Sequence, residues 1–248
     1  MDLSVFFQKN PATAIAFSGG VDSAYLLYAA VKYGTSTMAY YVKSAFQPQF
    51  ELDDAKRMAD HLQADLRVLE ADVLSSKEIS ANSKRRCYFC KKYIFSIIME
   101  AAKKDGFFTL LDGTNASDEV SDRPGMQAIK ELSVRSPLRE CGLTKETIRH
   151  LSKEAGLFTW DKPAYACLAT RIPQGTPITS EKLAQTEHAE NFLHSLGFSD
   201  FRIRSMGDAA KIQIPKNQLG NILAHRECIL AELRKYYSEV LLDLHTRK

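Results

Sequence analysis

The sequence predicts an α/β protein built on a doubly wound parallel sheet with a smaller α+β domain after it, and three observations predict this. Strand-length apolar runs alternate with helix-patterned stretches through the first two thirds of the chain, a glycine-rich turn joins the first strand to the first helix, and the character changes beyond Trp160. Ala12 to Phe17 is an apolar run of strand length, followed by Ser18-Gly19-Gly20-Val21-Asp22-Ser23 and a helical stretch, Ala24 to Val31. Ser36 to Val42 reads as a buried strand, Glu51 to Gln63 as an amphipathic helix, Leu66 to Val73 as a strand, Lys84 to Lys104 as a long helix and Phe107 to Leu111 as a further strand. From Thr144 to Ala155 the apolar positions Ile148 and Leu151 share a helical face, and Gly156 stops the helix. Residues 163–179 carry three prolines and one glycine without periodicity, which predicts a constrained functional loop. A helix from Ser180 to Leu196 ends at Gly197. Short strands follow at Phe201 to Arg204 and Ala210 to Ile214, then a helix from Gln218 to Tyr237 and a strand at Val240 to Leu244. The expected domains are 1–160 and 161–248.

Composition narrows the class. The chain has 248 residues, enough for a substantial core, and its formal charge of +3 is too small to argue for a nucleic-acid or membrane surface. No apolar stretch approaches the roughly 20 residues of a spanning helix, so a cytoplasmic protein is expected. Five unevenly spaced cysteines argue for catalysis or metal binding over a disulfide framework.

The chemistry of the first turn is that of a phosphate site. Gly19 and Gly20 allow close backbone approach to an anion, the loop N–H groups form a donor nest at a helix N-terminus, and Ser18 and Ser23 add hydroxyls. A carboxylate at Asp22 would be repelled by phosphate unless a divalent cation lay between them, which predicts a Mg²⁺-bridging role. No Gly-Lys-Ser/Thr follows, so this is not a Walker A loop. In a doubly wound sheet the ligand lies beyond the carboxyl ends of the strands. The segment around Lys43 to Phe46 and the turn-rich Asp112-Gly113-Thr114-Asn115-Ala116-Ser117-Asp118-Glu119 belong to the same edge, with Arg123 just beyond.

The hexapeptide and the Gly-Thr-Asn segment resemble the two nucleotide-site motifs of the N-type ATP pyrophosphatases, a group with a Rossmann-like, pyrophosphatase-loop fold that includes GMP synthetase, NAD synthetase and tRNA-thiolating enzymes. The resemblance implies ATP cleaved between its α and β phosphates, an adenylated substrate, and ATP and Mg²⁺ held by Ser18, Gly19, Gly20, Asp22, Ser23, Gly113, Asn115, Asp118 and Arg123. Across nearly the whole chain the motif order resembles more narrowly the ATP-dependent sacrificial sulfur transferases that mature the nickel-pincer cofactor of lactate racemase. The matching stretches are the Ser18 loop, Arg86-Cys87-Tyr88-Phe89-Cys90-Lys91, the Gly113 segment, Arg123-Pro124-Gly125, Ser136-Pro137-Leu138, Ala166-Cys167-Leu168 with Arg171, and Arg202-Ile203-Arg204. That family's substrate resembles nicotinic acid mononucleotide with a second ring carboxylate, and both carboxylates become thiocarboxylates.

Cys167 lies in the irregular loop four residues before Arg171, and a neighbouring cation raises the thiolate fraction. The resemblance makes Cys167 the sulfur donor, through a thioester and elimination to dehydroalanine. Arg202 and Arg204, two apart on one strand face, can hold one phosphate as a pair; the resemblance assigns them the substrate's phosphate, with Arg171 nearby. Glu190 matches an acidic site residue, although most helical glutamates are merely solvated, and Lys91 is assigned proton transfer. After Arg204 the chain departs from the family pattern, which predicts a histidine after the serine, an arginine at 211 and a glutamate at 213, where this sequence has Met206, Lys211 and Gln213.

Cys87 and Cys90 are three apart near a helix start, with Arg85 and Arg86 and the helix dipole expected to favour thiolates, half of a metal site by spacing. Some members of the resembled family carry three cysteines thought to bind a 4Fe-4S cluster, which implies Cys87, Cys90 and Cys167 as ligands. Cluster and sacrifice exclude each other at Cys167; the cluster is the version expected in the living cell, sacrifice or inactivity in aerobically prepared protein. A homo-oligomer acting on a nucleotide-like carboxylate is expected, without nucleic acid. Two rivals stay open: a tRNA-thiolating or amide-forming pyrophosphatase, and a non-catalytic adenine-nucleotide or iron–sulfur protein.

Overall fold

The computed structural model describes residues 2–118 and 124–247. The chain divides into two compact units, one of Met1–Val73 with Arg85–Lys162 and one of Leu74–Lys84 with Pro163–Lys248.

The first unit opens with a helix the sequence reading did not include, α1 (Leu3–Lys9), capped by Asp2 and burying Leu3, Phe6 and Phe7. Then come β1 (Ala12–Ala16), α2 (Val21–Lys32), β2 (Ser36–Lys43), α3 (Gln49–His61) and β3 (Asp65–Glu70). A short α4 (Lys77–Ser80) belongs to the second unit, and the chain returns through α5 (Arg86–Lys104), β4 (Leu110–Leu111), α6 (Pro124–Glu131), α7 (Pro137–Glu140) and α8 (Lys145–Glu154). All pairings in this sheet are parallel, in the order β3-β2-β1-β4. The order reverses between β1 and β4, so their carboxyl ends open a crevice, and the loops that leave them are Ser18 to Ser23 and Asp112 to Asp118. The core beneath consists of Phe6, Phe7, Ile15, Leu26, Leu27 and Leu111 among others, all nearly inaccessible. The strand expected over residues 107–111 is reduced to two residues because Phe108 points into solvent; only Thr109 O extends the ladder, accepting from Ala14 N at 2.8 Å.

The second unit holds the expected irregular loop, in which one 3₁₀ turn (Leu168–Arg171) follows Cys167. It continues through α9 (Ser180–Ser195), whose N-cap Thr179 accepts from Lys182 N, then β5 (Arg202–Met206), β6 (Ala209–Gln213), α10 (Leu219–Ala224), α11 (Arg226–Leu233) and β7 (Glu239–Leu242). β5 and β6 are antiparallel and β7 joins β6 in parallel. The single helix expected over residues 218–237 is two, because His225 turns out of helical geometry with its Nδ1 beside Asn221 O at 2.9 Å. Ile203, Ala210, Ile212, Leu193 and Phe198 fill this unit's core.

Asn82 joins the segment 74–84 to this unit. It is buried with φ of +54°, and its Nδ2 donates to Pro173 O (2.9 Å), Thr176 O (3.1 Å) and Ile172 O (3.4 Å), while Gly175 N donates to Asn82 O (2.9 Å). Asn tolerates the left-handed region better than other side chains. We expect Asn82→Ala to destabilise the second unit by roughly 1–3 kcal/mol, the cost of leaving buried acceptors unsatisfied; calorimetry should show one transition moving to lower temperature and the other staying in place.

Candidate active site

In the first unit Gly20 is the N-cap of α2, and Gly19 takes φ of +69° where a Cβ would lie 3.1 Å from the Ala55 backbone, so glycine is required on both counts. The two serine hydroxyls brace the turn. Ser18 Oγ and Ser23 Oγ lie 3.1 Å apart, and Ser18 N donates to Ser23 Oγ (3.3 Å). Opposite them, Gly113 approaches so closely that a Cβ would sit 3.0 Å from Ser23 N and 3.3 Å from Asp22 Cβ. This close approach is set by buried Asp112, which accepts from Thr114 Oγ1 (2.6 Å), Ser136 Oγ (2.6 Å) and Thr114 N (3.2 Å).

Asp22 stands in the first turn of α2, where the helix dipole favours an anion. Its carboxylate accepts from Asn115 Nδ2 (3.4 Å) and from Lys145 Nζ (2.5 Å). Lys145 was not singled out in the sequence, because a lysine at a helix start looks like surface. Its signal is the segment around it: Thr144 caps α8, Ala116 N donates to Leu143 O (2.8 Å), and Lys145 N donates to Ser117 Oγ (3.0 Å), which ties α8 to the Gly113 loop. Asp118 turns inward, accepting from Asn115 N at 3.0 Å, so it shapes the loop. Arg123 lies outside the described residues. Lys91 stands on α5 with its stem against Gly125, where a Cβ would come within 2.9 Å of Lys91 Cδ, and its Nζ lies 5.9 Å from the Phe95 ring centre.

The second unit carries Cys167, half-buried at the entrance to the 3₁₀ turn, with its carbonyl accepting from Thr170 N (2.9 Å) and Thr170 Oγ1 (2.8 Å). Arg171 is 1% exposed and pairs bidentately with Glu190, Nε to Oε1 at 2.8 Å and Nη2 to Oε2 at 3.0 Å, while Nη1 reaches Ala166 O (2.7 Å). Glu190, 2% exposed, also accepts from Tyr165 OH (2.6 Å) and Ile203 N (3.0 Å). Here Glu190 takes donors from the loop and from β5, and Arg171 is held on Glu190, Ala166 and Thr170, so the two residues the sequence singled out meet each other.

Arg202 and Arg204 also grip this loop: Arg202 Nη2 donates to Ala164 O, and Arg204 Nη1 to Thr170 O (2.8 Å), the carbonyls flanking Cys167 on either side. Burial, Arg171 and Arg247 push the Arg202 guanidinium down to about 10 and move Arg204 in the same direction. Burial is the larger cause and the neighbouring cations the smaller one.

Cys87 is exposed and accepts from Arg86 Nη2 (3.4 Å), Cys90 is half-buried, and both lie on α5 of the first unit, whereas Cys167 is in the second. Among the described residues no group of three or more His, Cys, Asp and Glu side chains is placed to hold a metal ion. No described helix is long and apolar enough to cross a membrane.

A strand–SGGVDS–helix turn at the reversal point of a parallel sheet, with a Gly-Thr-Asn turn against it, defines an ATP pyrophosphatase of the pyrophosphatase-loop class. Comparison with known proteins agrees. The chain is 36% identical over 221 residues to an uncharacterized protein of Synechocystis, covering 88% of this chain and 82% of that one. It is 34% identical over 233 residues to the pyridinium-3,5-bisthiocarboxylic acid mononucleotide synthase of Lactiplantibacillus plantarum, covering 93% and 84%. A more distant match, 25% over 185 residues, is the tRNA-specific 2-thiouridylase of Thermotoga maritima, covering 58% and 52%. No protein-family model matches the chain. The chain belongs to the family of the pyridinium-3,5-bisthiocarboxylic acid mononucleotide synthase, within the N-type ATP pyrophosphatases.

Two outcomes check this geometry. Gly113→Ala puts a methyl against Ser23 N and should weaken ATP binding on the order of tenfold, about 1.4 kcal/mol, by titration. Glu190→Gln removes the charge partner of a buried guanidinium and should cost about 3–5 kcal/mol of stability, with faster alkylation of Cys167 as the loop loosens. If Glu190 acted as an acid or base, the same change would stop turnover with stability unchanged.

Proposed function

We propose that this chain is an ATP-dependent sulfurtransferase that adenylates a carboxylate of a pyridinium dicarboxylate mononucleotide and converts it to a thiocarboxylate with sulfur from Cys167. The observation that carries the reading is the construction around Cys167: a buried Arg171–Glu190 pair fixes the loop, and two arginines with surplus charge clasp the carbonyls beside it. The family relationship supports ATP use and sulfur insertion.

In this reading the loop N–H groups of Ser18 to Ser23 receive the ATP phosphates. A lone carboxylate at a phosphate loop suits Mg²⁺, which is commonly bound by one or two carboxylates plus substrate phosphates, so Asp22 would hold the metal; when bound it neutralises phosphate charge. Lys145, already at Asp22, swings between that carboxylate and the phosphates. The substrate carboxylate attacks the α-phosphorus and the bond to the β-phosphate breaks, releasing pyrophosphate. The Cys167 thiolate then attacks the activated carbonyl and AMP leaves. Loss of the Cα proton with cleavage of the Cβ–S bond frees the thiocarboxylate and leaves dehydroalanine at 167, so each chain serves once. No step is assigned to a cluster, and Cys87 and Cys90 carry none.

Intact-protein mass after incubation with ATP, Mg²⁺ and the substrate should fall by one H₂S, with AMP and pyrophosphate as products. Product formed at unchanged mass overturns sacrifice, and ADP as product overturns adenylation. Asp22→Ala should slow pyrophosphate release by roughly 10²–10³-fold, the scale of losing one preorganised electrostatic group.

A further inference from the structure

The face of the second sheet that carries Arg202 and Arg204 also carries polar residues with no role so far. Antiparallel pairing sets Gln213 opposite Arg202 and Lys211 opposite Arg204, so all four side chains leave the same face. Asp243, the first residue past β7, is anchored beside β6 by its N–H to Ile212 O at 2.9 Å. One polar chain crosses this face. Arg204 Nε donates to Gln213 Oε1 (2.6 Å), Gln213 Nε2 donates to Asp243 Oδ2 (2.7 Å), and Lys211 Nζ lies 3.1 Å from the same oxygen.

The order of donors and acceptors along that chain is forced. Arg204 can only donate and the Asp243 carboxylate can only accept, so the residue between them must accept at one end and donate at the other. A side-chain amide does this in one orientation only. A carboxylate at 213 would still accept from Arg204 but would face Asp243 as a second anion at hydrogen-bond distance. The amide is neutral, so it aligns Arg204 without cancelling its charge, and the carboxylate beyond it, Asp243, is already shared with Lys211. Around this face Arg171, Arg202, Arg204, Lys211 and Arg247 stand against Glu190, Asp200 and Asp243, five cations to three carboxylates. Burial is the main cause that lowers the Arg202 and Arg204 guanidiniums, with Arg171 and Arg247 adding to it, and the count of groups leaves a surplus of two positive charges. A phosphate monoester dianion matches it in sign and number.

We propose that Gln213 is a positioning residue for the phosphate-bearing end of the substrate, locking Arg204 in place while leaving its positive charge available to a phosphate monoester. The inference rests on the expectation, drawn in the sequence analysis from the family resemblance, that the arginine pair receives the phosphate of the substrate in the proposed function.

The test is calorimetric titration of the full chain with nicotinic acid mononucleotide, inorganic phosphate and ATP at low and high salt, for the wild type, Gln213→Glu, Gln213→Leu and Arg204→Ala. In Gln213→Glu the mononucleotide and phosphate should weaken by about tenfold or more, with a flatter salt dependence because Arg204 is neutralised, and ATP binding should hold. Gln213→Leu should weaken the mononucleotide less and keep the wild-type salt dependence, since alignment is lost and charge is not. A purely structural role would lower melting temperature and all three affinities together. Wild-type mononucleotide binding and salt dependence in Gln213→Glu, or wild-type affinity in Gln213→Leu if the first variant does not fold, overturns the role of Gln213. The phosphate reading then survives if Arg204→Ala still weakens binding. Mononucleotide affinity that Arg204→Ala leaves unchanged overturns the phosphate reading, and the role of Gln213 with it.

Discussion

The ion pair between Arg171 and Glu190 is the interaction on which the second unit's site depends. Both groups are out of water, and burying either charge alone would cost several kcal/mol. The pair is tolerable because the geometry is bidentate and the remaining positions are filled, by Tyr165 OH and Ile203 N on the carboxylate and by Ala166 O and Thr170 Oγ1 on the guanidinium. Four parts of the unit meet there: the start of the cysteine loop, its 3₁₀ turn, α9 and β5. A loop of prolines with no regular ladder would otherwise sample many conformations, and the nucleophilic role proposed for Cys167 requires a held side chain. The conformational cost of fixing Cys167 is met by a network that contains no reacting atom.

The first unit solves a different problem. A parallel sheet with order β3-β2-β1-β4 gathers two loops at one crevice, but both carry acidic residues, and the ligand the class uses is itself anionic. The structure resolves this by directing each carboxylate to a donor of its own. Asp112 is buried under Ser136 and Thr114, Asp118 closes on Asn115 N, and Asp22 faces Lys145 and Asn115. What the two loops then offer, among the described residues, is a set of backbone N–H groups and one cation–carboxylate pair.

How much of this was legible in the sequence depended on whether the signal was local. The parallel sheet, and the two glycine turns at the carboxyl ends of β1 and β4, follow from apolar runs and glycine positions that act within a few residues, and the structure has them where the sequence put them. Lys145 was missed because its role arises from a loop tie between α8 and residues 116–117, not from its neighbours in sequence. Asn82 was missed for the same reason, since its partners lie some 90 residues away. Glu190 and Arg171 were noticed, but their pairing with each other was not. A glutamate and an arginine nineteen residues apart look like site residues whether they face a ligand or each other, and only burial distinguishes the two. The helix expected over 218–237 failed at His225, where a side-chain bond competes with the backbone ladder and periodicity gives no warning.

The departures from the family pattern at 211 and 213 gain a physical meaning from the sheet. Taken singly, a lysine for an arginine and a glutamine for a glutamate look like weakened versions of polar groups. On the observed face they act together with Asp243, which Gln213, the His245 N–H and Lys211 hold down to about 2, so the negative charge expected at 213 is supplied from the end of β7 instead. The carboxylate has moved away from Arg204 by the length of one amide, and the lysine has moved with it as partner. Charge on this face is thus redistributed and not lost, leaving the cation nearest the cysteine loop aligned by a neutral group. The polar chain on this face is therefore a property of three strands taken together, and it is read from the register between them and not from any one residue.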